Sequence, residues 1–146
     1  MKILLVDDDH LLARGTAKLI QRLGGHQVAI TDEPREIFQR CWTGEVDVVL
    51  MDVNLPAAQW EGKDVSGADI AYLLKSDPQT ADIPIILITA YAMLNEQQHL
   101  VEVSRADDFF AKPITDYDAL LESIAKLQEA RQQKLNSQMS LGNSKK

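Results

Sequence analysis

The sequence is poor in cysteine, in aromatic residues and in long apolar runs. Its one cysteine, Cys41, excludes an internal disulfide, and its apolar, helix-spaced surroundings favour a small buried side chain. No apolar run approaches the length of a transmembrane helix. The first run, Ile3–Val6, stops at three aspartates and is too short for a signal peptide. We therefore expect a protein of the reducing cytosol.

Basic residues are also scarce. The 15 lysines and arginines are outnumbered by 22 acidic residues, which gives a formal net charge of −7. Contacts to nucleic-acid phosphates need Lys and Arg, so this balance argues against unassisted nucleic-acid binding but not against a protein partner. The remaining composition, 45% hydrophobic and 25% charged over 146 residues, is typical of one soluble globular domain with its own core.

Apolar runs alternate with stretches of helical spacing along the chain. This pattern predicts five strands, each followed by a helix, and hence an α/β fold with a parallel sheet and helices on both faces. The predicted strands are Lys2–Val6, His26–Ile30, Val46–Met51, Ile83–Ile88 and Asp108–Ala111. The predicted helices are Asp9–Leu23, Asp32–Trp42, Ala68–Lys75, Asn95–Val103 and Asp116–Lys134. We expect Asp9, Thr31 and Asp116 to cap helices.

The end of the chain differs from the rest in composition. Residues 135–146 are polar and end in Gly-Asn-Ser-Lys-Lys, which predicts a disordered tail. A second domain does not fit in so short a segment. We therefore expect one domain over residues 1–134, followed by a tail over 135–146.

Polar residues stand at the ends of four predicted strands. Asp7 and Asp8 follow the first strand, Asp52 the third, Thr89 the fourth and Lys112 the fifth. Ligands of open α/β sheets bind at the carboxyl ends of the strands, so we expect these side chains to share one cleft. Carboxylates suit Mg²⁺, and a carboxylate beside a bound cation can act as a nucleophile toward phosphorus. The pattern therefore indicates metal-assisted phosphoryl chemistry.

Each of these residues also has an ordinary structural explanation. An aspartate after a strand can cap a helix or start a loop, although three in a row exceed what one cap needs. Thr89 could be a β-branched strand residue, and Lys112 a surface lysine. For Asp52, Thr89 and Lys112, only the combination with the other residues favours the functional interpretation.

Five motifs in order resemble the receiver domain of two-component response regulators, over residues 1–134. They are Val-Asp-Asp at 6–8, Asp-x-Asn-Leu-Pro at 52–56, Thr-Ala at 89–90, Ala-Asp-Asp-Phe at 106–109 and Lys-Pro at 112–113. The resemblance implies a flavodoxin-like fold with a five-stranded parallel sheet. It also implies a phosphorelay protein that is not an enzyme toward a separate substrate, but catalyses its own phosphotransfer and autodephosphorylation.

The resemblance assigns a role to each residue at the predicted cleft. Asp52 matches the aspartate that accepts a phosphoryl group. Asp7, Asp8, Asp52 and the backbone carbonyl of Asn54 match the ligands of Mg²⁺, for which Mn²⁺ could substitute. Thr89, Ala90 and Lys112 match the groups that bind the phosphoryl oxygens.

A switch and a set of partners follow from the same resemblance. Thr89 and Phe109 match the switch pair that reshapes the surface of the fourth helix, fifth strand and fifth helix, although core packing would also explain Phe109. The implied partners are a sensor histidine kinase or phosphotransfer protein and a downstream protein target. A homodimer through the same surface is a further expectation, and no direct nucleic-acid or membrane contact is expected.

The sequence departs from the family pattern at two places, the 57–66 segment and Arg105. Residues 57–66 are longer than the few residues typical there, and Trp60 within them could cover the site or contact the kinase. Arg105 stands where the family usually has glycine, so we expect altered or strained backbone there. Tyr91, two residues after Thr89, could shield an acyl phosphate from water.

Two other functions share some of these residues. A metal-dependent phosphatase with an aspartyl nucleophile would need a general acid two residues past Asp52, where Asn54 stands, and a substrate cap. A receiver used only for binding would be expected to lack Asp52, Lys112 or one of the acidic residues, and all of them are present.

Overall fold

A five-stranded parallel sheet forms the centre of the protein. The computed structural model describes residues 1–90 and 94–144. The strands of this sheet are β1 (Lys2–Val6), β2 (Gln27–Thr31), β3 (Val48–Asp52), β4 (Ile85–Thr89) and β5 (Asp108–Ala111), in the spatial order β2-β1-β3-β4-β5. The helices are α1 (His10–Gly24), α2 (Pro34–Trp42), α3 (Gly67–Ser76), α4 (Leu94–Ser104) and α5 (Tyr117–Ser144).

Helices cover both faces of the sheet, and each face has its own core. Alternate strand residues point to opposite faces, so Leu4 and Val6 pack toward α2, α3 and α4, while Ile3 and Leu5 pack toward α1 and α5. The central strands are consequently buried on both sides, which explains why they read as continuous apolar runs in the sequence. The predicted flavodoxin-like architecture is confirmed.

Helix caps agree with prediction at two of three positions. The Asp9 carboxylate accepts a hydrogen bond from the Leu12 amide, and the Asp116 carboxylate accepts one from the Ala119 amide. The prediction for Thr31 is wrong, because this residue ends β2 and α2 begins only at Pro34. The Thr31 hydroxyl instead accepts a hydrogen bond from the Glu33 amide and donates one to Glu36.

The last helix is longer than the sequence pattern predicts. Helix α5 runs to Ser144, ten residues beyond the predicted end at Lys134, so the segment expected to be a disordered tail is helical as far as Ser144. Residues 136–139 of this extension are exposed. The domain boundary at residue 134 stays a prediction, and in the structure it falls within a helix.

The long 57–66 segment folds into a small antiparallel hairpin. Its strands pair Gln59 with Asp64 and Trp60 with Lys63. The two turn residues, Glu61 and Gly62, both have positive φ, at 53° and 78°, which is the geometry of a tight hairpin turn. This hairpin was not predicted as a secondary-structure element.

Two expectations about single residues are confirmed. Arg105 has a φ of 58°, in the left-handed region that favours glycine, and its guanidinium lies 5.2 Å from the centre of the Tyr72 ring. Cys41 is 2% exposed, and burial raises the pKa of its thiol to about 12.

Among the described residues, no helix has both the length and the apolar character needed to cross a membrane.

Gly67 is required where α3 approaches the end of β3. A Cβ at this position would overlap the carbonyl oxygen of Asp52 and lie 2.8 Å from its carbonyl carbon. We therefore predict that Gly67→Ala lowers the free energy of unfolding by about 1–3 kcal/mol, as overpacking of a core does. Urea denaturation would measure the change.

Gly15 provides the matched control for this prediction. It lies inside α1, and apart from its chain neighbours and the adjacent helix backbone, no atom lies within 4 Å of an added Cβ. Gly15→Ala should therefore stabilise the protein by roughly 0.5–1 kcal/mol, because alanine loses less backbone freedom in a helix. Equal effects of the two substitutions would contradict the steric role of Gly67.

Candidate phosphoryl and metal site

The predicted polar residues meet at the carboxyl ends of the strands. The chain leaves β1 toward β2 and later returns to β3 on the other side of β1, so the connections diverge at this edge and leave a crevice. The crevice has a volume of about 550 Å³. It is lined by Asp8, Asp9, Asp52, Asn54, Thr89, Ala90 and Lys112.

Three carboxylates lie close together in this cleft. Asp7, Asp8 and Asp52 each offer an oxygen atom, and these atoms lie within 4.8 Å of one another. Asp7 and Asp52 are each 5% exposed, whereas Asp8 is exposed and leaves room for water on its side. Hard oxygen donors with an open, hydrated side are the set that Mg²⁺ prefers, so the residues fit a magnesium site.

Lys112 bridges the two buried carboxylates. Its Nζ donates to Asp7 Oδ2 at 2.9 Å and to Asp52 Oδ2 at 2.8 Å. The backbone amide of Lys112 donates to the carbonyl oxygen of Thr89 at 2.8 Å, which fixes the start of the loop after β5 against the end of β4. The peptide bond between Lys112 and Pro113 is cis.

Backbone amides hold the other oxygen of each buried carboxylate. The Asp9 amide donates to Asp7 Oδ1 at 2.9 Å, and the Asn54 amide donates to Asp52 Oδ1 at 3.1 Å. Both carboxylates are thus held in the same way, with one oxygen on a backbone amide two residues later and the other on Lys112. Their orientation is therefore set before any ligand binds.

Burial and charge shift the pKa values of Asp52 and Lys112. Burial raises the pKa of Asp52 above its ordinary value, and the nearby Asp7 charge adds to this, against the opposing hydrogen bonds and charge of Lys112 and the Asn54 amide. Burial alone would lower the pKa of Lys112, but hydrogen bonds and charges from Asp52 and Asp7 outweigh it, so that pKa is raised. Lys112 therefore carries its positive charge throughout the physiological pH range.

Thr89 and Phe109 lie on the same face of the sheet. Thr89 is the last residue of β4 and is 1% exposed, and it pairs with Ala111 of β5. Phe109 pairs with Leu87, and both side chains join the core toward α2, α3 and α4. Phe109 is half-buried there. Tyr91 lies outside the described residues.

The structure differs from the sequence interpretation in two details of the site. Trp60 does not line the cleft, since its ring lies 4.4 Å from the ring of Phe38 on α2. The amides of Asp9 and Asn54 were not assigned their roles in holding carboxylates. Aspartate side chains commonly bond the backbone two residues later, so this signal was present in the sequence.

Comparison with known proteins gives a consistent result. The family model of the response regulator receiver domain matches residues 3–125. Chemotaxis protein CheY-3 from Vibrio cholerae is 27% identical over 117 residues, which are 79% of this chain and 82% of that protein. A solved signal receiver domain of a DNA-binding response regulator (merR) from Colwellia psychrerythraea is 25% identical, with a TM-score of 0.73 over 88% of this chain and 98% of that one.

Other relatives are much longer than this chain. The autoinducer sensor kinase/phosphatase CqsS from Vibrio cholerae is 31% identical over 127 residues, which are 85% of this chain but 17% of that protein. The chain also spans 15% of the gliding motility regulatory protein of Myxococcus xanthus. The matched part is the domain described above, with its cleft at the carboxyl ends of the strands. This chain belongs to the response regulator receiver domain family.

Proposed function

We propose that this protein is a phosphoacceptor switch of a two-component phosphorelay, with Asp52 as the acceptor. The observation that carries this proposal is the bridge from Lys112 to Asp7 and Asp52, with Asp8 beside it. The donor would be the phosphohistidine of a sensor histidine kinase or a phosphotransfer protein. The match to part of CqsS, named as a sensor kinase/phosphatase, supports this setting. The setting would be the cytoplasm.

The geometry supports direct transfer to Asp52. A carboxylate oxygen of Asp52 would attack phosphorus, forming an O–P bond while the N–P bond to the donor histidine breaks and its electron pair returns to the imidazole. The Asn54 amide keeps the Asp52 carboxylate oriented, so orienting the nucleophile adds little to the activation free energy. The Lys112 ammonium lies 2.8 Å from Asp52 Oδ2, and it would donate a hydrogen bond to a phosphoryl oxygen as negative charge moves to that group. Thr89 and the Ala90 amide would bind the remaining oxygens.

Metal binding is part of the proposal. Asp7, Asp8, Asp52 and the backbone carbonyl of Asn54 would hold Mg²⁺, or Mn²⁺ in its place. When bound, the ion supplies positive charge that offsets the charge of the carboxylates and of the phosphoryl group. The same residues would later let water attack the phosphorus of the acyl phosphate, which breaks the O–P bond to Asp52, releases inorganic phosphate and restores the carboxylate.

The output would pass through the face that carries Phe109. Thr89 drawn toward the phosphoryl group would leave space on the same face, and Phe109 could turn inward. That movement would change the surface of α4, β5 and α5, which is our proposed contact surface for a downstream protein or for a second copy of the chain. Such a surface is a two-state element biased by one local bond.

We predict that the protein gains one phosphoryl group when incubated with Mg²⁺ and acetyl phosphate, and that Asp52→Asn does not. The substitution keeps the shape of the side chain but removes its nucleophilic carboxylate. Intact mass spectrometry would measure the gain, with a sample containing EDTA as the metal-free control. No gain in the wild type, with Mg²⁺ binding intact, would contradict the proposal and favour a binding module.

Lys112→Ala should separate metal binding from phosphotransfer. Loss of the ammonium removes a cation that competes for Asp7 and Asp52, so Mg²⁺ should bind more tightly in calorimetric titration. Phosphorylation should slow by about 10²-fold or more, because a donor to the developing charge is lost. Lys126→Ala is the control, since Lys126 is an exposed lysine paired with Glu122. An unchanged rate in Lys112→Ala would refute the role of Lys112.

A further inference from the structure

The segment that carries Asn54 is closed at both ends by backbone hydrogen bonds. The carbonyl of Val53 accepts from the Gly67 amide at 2.8 Å, and the carbonyl of Ala58 accepts from the Val65 amide at 3.1 Å. Between them, the Ala58 amide donates to the carbonyl of Leu55 at 3.1 Å. Residues 54–58 therefore form the base of the hairpin, and this base is held both by the hairpin and by the buried side chains of Leu55 and Ala58.

The hairpin holds its place through a contact with α2. Its two strands have two residues each, and so short a pair is not stable by itself in water. Its other strand and turn residues are exposed: Gln59, Glu61, Gly62, Lys63 and Asp64. Trp60 is the exception, because it is half-buried and its ring packs at 4.4 Å on Phe38 of α2. Phe38 in turn packs on the core of that face.

The base of the hairpin also faces Asp8. A cavity of about 260 Å³ lies between them. It is lined by Asp8, by Asp32, Glu33 and Pro34 at the start of α2, and by Leu55, Ala57, Ala58 and Gln59 of the hairpin base. A shift of the hairpin would thus reach the metal-binding residues from two directions, through the backbone at Asn54 and through the space beside Asp8.

We propose that Trp60 is a positioning residue for the metal site. By packing on Phe38 it fixes the hairpin, and the hairpin fixes the Asn54 backbone carbonyl beside the Asp7, Asp8 and Asp52 carboxylates. Without Trp60, the carbonyl loses part of its ordering, which has to be restored each time the ion binds, and this cost appears as weaker binding. The inference rests on the proposed function, because it concerns the ion used in phosphotransfer.

The test compares the two tryptophans of the chain. Trp60→Ala should raise the dissociation constant for Mg²⁺ about tenfold, which is the low end for loss of a group that orients a metal ligand. Trp60→Phe keeps a ring against Phe38 and should restore most of the affinity. Trp42→Ala is the matched control, because Trp42 belongs to the same helix as Phe38 but is 52% exposed and donates a hydrogen bond to Asp77 at 2.8 Å. Isothermal titration calorimetry gives the constants, and urea denaturation confirms that each variant is folded.

A second measurement separates positioning from stability. The rate of phosphorylation by acetyl phosphate is followed against Mg²⁺ concentration. In Trp60→Ala the half-saturating concentration should rise by the same factor as the dissociation constant, while the rate at saturating Mg²⁺ stays near that of the wild type. Phe38→Leu, which shortens the same contact from the α2 side, should shift the curve in the same direction, and it serves if Trp60→Ala does not fold.

The outcomes are distinct. Loss of affinity in Trp60→Ala and Phe38→Leu, but not in Trp42→Ala, supports the inference. An unchanged dissociation constant in Trp60→Ala and Phe38→Leu, or an equal loss in Trp42→Ala, overturns it and leaves the proposed function standing. A wild type that neither binds Mg²⁺ nor gains a phosphoryl group overturns the proposed function, and the inference with it.

Discussion

The ion pair of Lys112 with Asp7 and Asp52 is the interaction on which the arrangement of the cleft depends. Two carboxylates that are each 5% exposed would be costly to bury without a partner. Their partner comes from 105 residues and 60 residues away in the chain, respectively, so the pair forms only when β1, β3 and β5 are in register. The hydrogen bond from the Lys112 amide to the Thr89 carbonyl then holds the end of β4 beside the same ion pair. The fold and the site are therefore established by the same contacts.

This pairing leaves the cleft short of positive charge. When all four groups are ionised, three carboxylates (−3) and one ammonium (+1) give a formal charge of −2. A divalent cation would balance it, and a phosphoryl group alone would be repelled. The imbalance gives a physical reason why the proposed chemistry needs a metal ion. The excess of negative charge also favours the close approach of the Lys112 ammonium to Asp7 and Asp52.

Most of the fold could be predicted from the sequence because the strands are buried on both faces. Ile85–Thr89 reads as one apolar run for that reason, and the polar residues that follow such runs mark the edge where the site forms. The hairpin at 57–66 could not be predicted in the same way, since its strands have two residues each and carry no periodic signal. The contact between Trp60 and Phe38 could not be predicted either, because it joins a residue of the hairpin to a residue of α2.

The C-terminal extension of α5 and the role of Thr31 were mispredicted for a different reason. Residues 135–144 are rich in Ser and Asn, which favour coil, but they also contain Leu135, Met139 and Leu141, and Leu and Met are good helix formers. Composition alone cannot choose between the two states. Thr31 carries a cap-type side chain, and it does bond the backbone two residues on, but the strand extends through it. The sequence therefore predicts the hydrogen bond from the backbone to the Thr31 hydroxyl, but it does not predict that α2 begins three residues later, at Pro34.

The close approach at Gly67 explains how the chain carries a long segment beside Asp52 without displacing it. The Asp52 side chain is held by Lys112, and its backbone lies against Gly67 at the start of α3. The Gly67 amide also donates to the carbonyl of Val53, so the chain that leaves β3 returns to it one residue after Asp52. Additional residues must therefore extend outward as a hairpin. They leave Asp52 in place, and the part of the site that they can still influence is the backbone between the two closures, where Asn54 lies.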